Sequence, residues 1–186
     1  VAGKALDDRG GVAILCELAS GIRRDDLACD LTLVCTVQEE IGVVGAAALA
    51  AQGGFDAAIV VESGLAGDVP GLGESALPIR LGTGPTLIHK DSLVHYDHAL
   101  TSHLEDVAAR ASVPVQHAVV GSYGSDGSAF MRADVPTALV TFPTRYTHTP
   151  FEMASLGDIE AMVSLLTVFV TTPWDGPAIP SSRGAT

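Results

Sequence analysis

Two adjacent glutamates, Glu39 and Glu40, end the apolar run Leu31 to Val37 and lead into a stretch of small residues, Val43 to Ala51. A β-branched run that is apolar on both faces predicts a central parallel strand covered by helices, and parallel sheets carry their ligand sites at the carboxyl ends of strands. Successive residues leaving a strand point in different directions, so one carboxylate can bind a cation while its neighbour moves a proton. Other acidic groups occupy similar places. Asp7 and Asp8 stand between a short extended piece and a helical pattern from about Gly11 to Ala19. Glu62 ends the apolar run Ala57 to Val61, and His148 follows the strand-like Thr137 to Phe142. Singly, each has a plainer reading, since an Asp ahead of a helix caps it and a Glu pair makes a solvated turn. Together, carboxylates at one rim repel unless a cation or protons neutralise them. A mixed Asp, Glu and His set without Cys suits Zn²⁺, Co²⁺ or Mn²⁺, and a bridging carboxylate can hold two ions roughly 3.5–4 Å apart.

The elements that must position these groups follow from periodicity. Strand patterns at Ala57 to Val61, Thr86 to His89, Val115 to Val119 and Thr137 to Phe142 alternate with helical patterns at Asp97 to Ala111 and from a Ser155 cap to about Val170. Ile79 to Leu81 reads as a further short strand. This alternation predicts an α/β fold, a three-layer αβα sandwich on a largely parallel twisted sheet. It forms one domain over 1–170, followed by a loose Pro- and Gly-rich tail at 171–186. In the first helix Val12, Leu15, Cys16 and Leu18 are the expected packing residues. The Gly121 to Gly127 loop enters a short helix through Met131 without a complete phosphate fingerprint, so no nucleotide is assigned. His95, His98 and His103 are expected to face solvent rather than a metal.

Composition narrows the function classes. A chain of 186 residues, 47% hydrophobic, can bury a sizeable core. Its formal charge of −12, with no basic cluster beyond Arg23-Arg24, argues against nucleic acid or an anionic membrane as partner. No apolar stretch approaches the ~20 residues of a spanning helix. Cys16, Cys29 and Cys35 lack metal-type spacing and read as reduced core or near-core thiols of a cytoplasmic protein. The chain begins at Val1 without an initiator Met, and it looks like the C-terminal part of something longer.

Five segments together resemble a known family: Gly3-Lys4-Ala5-Leu6-Asp7-Asp8-Arg9, Gln38-Glu39-Glu40-Ile41-Gly42, the strand ending at Glu62, Ser125-Asp126, and Arg145-Tyr146-Thr147-His148-Thr149-Pro150. In this order, from Gly3 to about Val170, they are similar to the catalytic domain of the glutamyl or deblocking aminopeptidases, the tetrahedral-particle metallopeptidases of clan MH. The resemblance implies a metal-dependent aminopeptidase acting on peptides, with two Zn²⁺ or Co²⁺ ions and assembly into homo-oligomers. It implies that Asp7 bridges the ions with Asp8 holding its geometry, that Glu40 and His148 complete one site, and that Glu62 serves the other. Glu39 would be the general base, passing a proton from a metal-activated water to the leaving amine. Ser125, Asp126, Arg145 and Tyr146 would line the substrate pocket. Two departures accompany the resemblance. The family more often has Asp at the position of Glu62, and its first histidine ligand and small inserted β domain lie upstream of the Gly-Lys-Ala motif. On that basis one tightly held ion is expected in this chain. Two alternatives are a catalytically incomplete structural remnant and a related amidohydrolase. A glycosidase also uses two carboxylates, but it needs a sugar cleft usually rich in aromatics, and only 5% of this chain is aromatic.

Overall fold

Β-branched runs and helical stripes become six strands and five α-helices, with a 3-10 turn at Arg24–Asp26, among residues 1–72 and 77–174, which the computed structural model describes. The strands are β1 (Ala2–Gly3), β2 (Ala58–Leu65), β3 (Thr86–Lys90), β4 (Gln116–Val119), β5 (Thr137–Arg145) and β6 (Glu152–Ala154). The helices are α1 (Leu6–Gly21), α2 (Val44–Ala50), α3 (His98–Arg110), α4 (Gly127–Arg132) and α5 (Leu156–Thr171). The centre is β5, buried along all but its last residue. It pairs in parallel with β2 and antiparallel with β3 and β6, while β3 and β4 run parallel and β1 joins β6 antiparallel. The α/β sandwich is therefore present, on a sheet whose pairing is mixed.

Alternation along β5 divides the core between two faces. Ala138, Val140 and Phe142 pack with Ile14, Leu104, Met162 and Leu165 from α1, α3 and α5. Leu139 turns the other way, toward Ile79, Ile88 and Tyr96. On that second side Ala46 and Ala50 of α2 meet Ala129 and Phe130 of α4. Successive Cβ atoms on opposite faces produce the three layers. Close approach of α1 to β5 requires glycine: a Cβ built on Gly10 would lie 2.4 Å from the Phe142 ring.

Several expectations are corrected. The run 31–37 joins no ladder among the described residues, and Val37 is 66% exposed, with Leu33 and Val34 more than a third exposed. An apolar run makes a buried strand only where both its edges find partners, and here β2 is bonded to β5 alone. Residues 79–81 likewise form no strand. Cys16, Cys29 and Cys35 are free, as expected, but exposed rather than buried. In α1 the inward face is carried by Gly10, Gly11, Ile14 and Leu18, one notch away from Val12, Leu15 and Cys16. His103 is buried rather than solvent-facing, with its ring centroid 5.6 Å from Phe169 and 4.6 Å from Trp174. Ser155 occupies the α5 N-cap without a side-chain bond to it. Of the loose tail expected at 171–186, residues 175–186 lie outside the described residues. Among those described, no helix is long and apolar enough to cross a membrane.

Candidate metal centre

Asp7, Asp8, Glu39, Glu40 and His148 stand where the backbone turns sharply. Asp7 and Asp8 sit at the head of α1 with non-helical backbone angles, which directs their carboxylates away from the helix cylinder. Glu39 and Glu40 occupy a tight turn in which Gly42 and Val43 donate their N–H groups to the Glu39 carbonyl. His148 lies between β5 and β6. Residues of positive φ frame all three segments: Ala5 at 54°, Gln38 at 60°, Tyr146 at 63° and His148 itself at 62°. Left-handed backbone at a non-glycine costs roughly 1–3 kcal/mol and persists where the surrounding structure enforces it.

The turns bring three groups to one point. His148 Nε2 lies 3.2 Å from Asp7 Oδ2 and 3.2 Å from Glu40 Oε2. One ligand atom from each of Asp7, Glu40 and His148 falls within 4.8 Å of the others. Tetrahedral zinc with bonds of about 2.0–2.2 Å needs donor atoms roughly 3.3–3.6 Å apart, so the donor set and its spacing fit a divalent cation. Asp7 is the inner wall, with a side chain 12% exposed, while Glu40 and His148 reach it from the solvent side at 57% and 68%. A cation there would keep an open face.

Without a cation the neighbouring acids resist ionisation. Burial, with Asp7, Glu39 and Asp126 adding repulsion, pushes the Asp8 carboxyl up to about 8 despite the N–H of Gly11 donated to it. Burial and then the Asp126, Glu40 and Asp7 carboxylates push Glu39 up to about 7. Glu62 rises to about 10 through burial and then Asp8 and Glu39. Asp7 is raised by burial and next by Glu40, against a hydrogen bond from Ser63. In each of the four, burial is the largest cause and repulsion between the carboxylates adds to it, and a cation among them would oppose both.

Glu62 is buried in the middle of β2, opposite Thr141, and falls outside the Asp7, Glu40 and His148 group. Asp126 takes the Thr36 hydroxyl on one oxygen while its other oxygen is buried with no partner. Ser125 is fully buried, 2.8 Å from the Tyr96 hydroxyl and accepting the Gly127 N–H, so it supports the loop from inside. Arg145 gives its guanidinium to Asp68 through two bonds of 2.8 and 2.6 Å. Tyr146 is 44% exposed beside His148. Two groups escaped the sequence reading. Asp68 sits in a Gly- and Pro-rich loop with no local signal of its partner. Glu152 did carry one, an acid inside the otherwise apolar Phe151-Glu152-Met153-Ala154, and it is 2% exposed.

The M42 glutamyl aminopeptidase family matches residues 1–165, a span that contains every group described above. The chain belongs to that family. FrvX of Escherichia coli is 34% identical over 174 residues, which is 92% of this chain and 48% of FrvX. A TET aminopeptidase from a marine-sediment Thaumarchaeota archaeon superposes with a TM-score of 0.85 at 31% identity, covering 91% of this chain and 48% of that one. The TET1 peptidase of Pyrococcus horikoshii, described as able to assemble into a tetrahedron or a large octahedral shell, does so with a TM-score of 0.82 at 27% identity, covering 91% and 49%. The chain thus spans about half the length of these relatives.

Proposed function

We propose that this chain carries the metal centre of an M42 metallo-aminopeptidase that removes N-terminal residues from peptides. The observation that carries the reading is the meeting of Asp7, Glu40 and His148 around one point, with Glu39 adjacent to Glu40 in the same turn. Asp7, Glu40 and His148 would hold Zn²⁺ or Co²⁺, and Glu62 would serve a second ion near Asp7. The bound cation supplies Lewis acidity and makes water a stronger acid. Glu39, half-buried and next in sequence to the ligand Glu40, acts as the general base. It accepts a proton from water and returns it to the leaving amine. Asp8, held by the Gly11 N–H, keeps Asp7 in place. On the substrate side Tyr146 is the exposed group, whereas Ser125 and Arg145 act through the loops they brace. Self-association is the matching proposal for assembly, by analogy with the P. horikoshii particle.

The test is hydrolysis of aminoacyl p-nitroanilides by the full-length protein supplied with Co²⁺ or Zn²⁺. Turnover is expected, and Glu39→Gln is expected to reduce it by about 10²–10⁴-fold, the usual contribution of a positioned acid-base group. Absence of turnover, or turnover unchanged in Glu39→Gln, contradicts the reading.

A further inference from the structure

Glu152 stands beside the ligands without belonging to them. It opens β6, a three-residue strand stitched on one side to β1 through the Gly3–Glu152 pair and on the other to β5 through the Arg145–Met153 pair. Its side chain is almost wholly enclosed, at 2% exposure. Both carboxylate oxygens are engaged: Oε2 accepts the N–H of Asp7 at 2.9 Å, and Oε1 accepts the N–H of His148 at 3.1 Å. One buried carboxylate therefore holds the backbones of two ligand residues that lie far apart in the chain. Sheet ladders fix the flanking strands but leave these two residues free, because Asp7 lies beyond β1 and His148 beyond the last rung of β5.

The backbone of His148 also needs a restraint. Tyr146 and His148 both adopt positive φ, so the loop is held in a conformation it would otherwise leave. The N–H of His148 has Glu152 as its anchor, and the same carboxylate anchors Asp7 across the gap. Loss of that acceptor would let the loop relax and carry the imidazole away from Asp7 and Glu40, without touching any ligand atom.

We infer that Glu152 is a positioning residue for the metal centre, setting the separation of Asp7 and His148 by bridging their backbone amides; this rests on the metal-binding reading above. Glutamine at 152 has the same shape but offers one acceptor oxygen and an NH₂ group. One of the two amides would then face a donor instead of an acceptor. Aspartate keeps the charge and both acceptors but is one methylene shorter, so it cannot span both amides. Outer groups that orient metal ligands typically change metal affinity by 10–100-fold when replaced.

The test is titration of the 186-residue chain with Co²⁺, reading both the dissociation constant and the visible absorption band, with circular dichroism to confirm that each variant is folded. Glu152→Gln is expected to weaken Co²⁺ binding by 10–100-fold and to alter the band, because the ligand geometry changes. A folded Glu152→Gln with affinity and band unchanged overturns the inference while leaving the metal site standing. If Glu152→Gln does not fold, Glu152→Asp decides in the same way, and loss of fold in both makes Glu152 a folding residue and overturns the inference. If the native chain binds no Co²⁺, the metal reading itself fails and this inference falls with it.

Discussion

Replacing Gly10 by alanine tests how closely the head of α1 must approach the sheet. The added Cβ would lie 2.4, 2.8 and 3.1 Å from three carbons of the Phe142 ring. Carbon atoms rest at about 3.5–4.0 Å, so helix or ring must move by about 1 Å. Phe142 is fully buried in the cluster that holds Ile14 of α1 and Met162 and Leu165 of α5, so its ring moves only by displacing packed neighbours. Overpacking of this kind costs typically 1–3 kcal/mol, and the rigid surroundings place Gly10→Ala near the top, at about 2–3 kcal/mol. For a chain of this length each kcal/mol lowers Tm by about 2–4 °C, so thermal unfolding is expected roughly 4–12 °C earlier. Because Asp7 and Asp8 ride on the same end of α1, cation binding is expected to weaken as well. The assay is thermal and urea denaturation of Gly10→Ala, of Phe142→Leu and of the double variant. Removing the ring edge should make Gly10→Ala less costly in the Phe142→Leu background, with a coupling of about 0.5–3 kcal/mol. A cost within about 0.5 kcal/mol of zero, or strict additivity, would refute the steric argument.

Two further outcomes are expected. Glu39 and Asp8 titrate near 7 and 8 in the fold, against ordinary values of 4.5 and 3.8. Raised folded values contribute stability that is fully present below pH ~4 and is lost as pH rises through 7 to 8. In chelator, Tm measured by scanning fluorimetry should therefore fall between pH 5 and 9, and Zn²⁺ should flatten the slope; a rise with pH in chelator would contradict the origin of these shifts. For Arg145→Lys the paired guanidinium bonds to Asp68 are lost, but Arg145 is 30% exposed, so the stability change measured in urea should stay within about 1 kcal/mol. A larger loss would show that the pair holds the fold rather than the loop leading to His148.

Much of this architecture was legible because local pattern and tertiary role agree. The runs that became β2, β3 and β5 pack residues into the clusters on both sheet faces, β4 at the sheet edge buries Ala118 on one, and the small-residue stretch at α2 packs against α4, as such patterns require. The run 31–37 misled because hydrophobicity reports the capacity for burial, whereas a strand also needs a partner edge. β1 and β6 are too short for any period to show, and they matter through long-range pairing that no local window contains. At the site, residue types pointed to Asp7, Glu39, Glu40 and Glu62 with His148 as a cation-binding rim, the family resemblance singled out Asp7, Glu40 and His148 as one ligand set, and the fold brings those three together. The reach of Glu152 to two backbone amides, and of Asp68 to Arg145, depends on loop geometry that residue letters do not encode.

The most direct measurement is crystallography of the chain grown with Zn²⁺ and recorded at the zinc absorption edge. An anomalous peak is expected with Asp7 Oδ2, Glu40 Oε2 and His148 Nε2 at about 2.0–2.2 Å, and its loss is expected in His148→Ala. Zinc bound elsewhere, or no peak among these three side chains at saturating Zn²⁺, would contradict it.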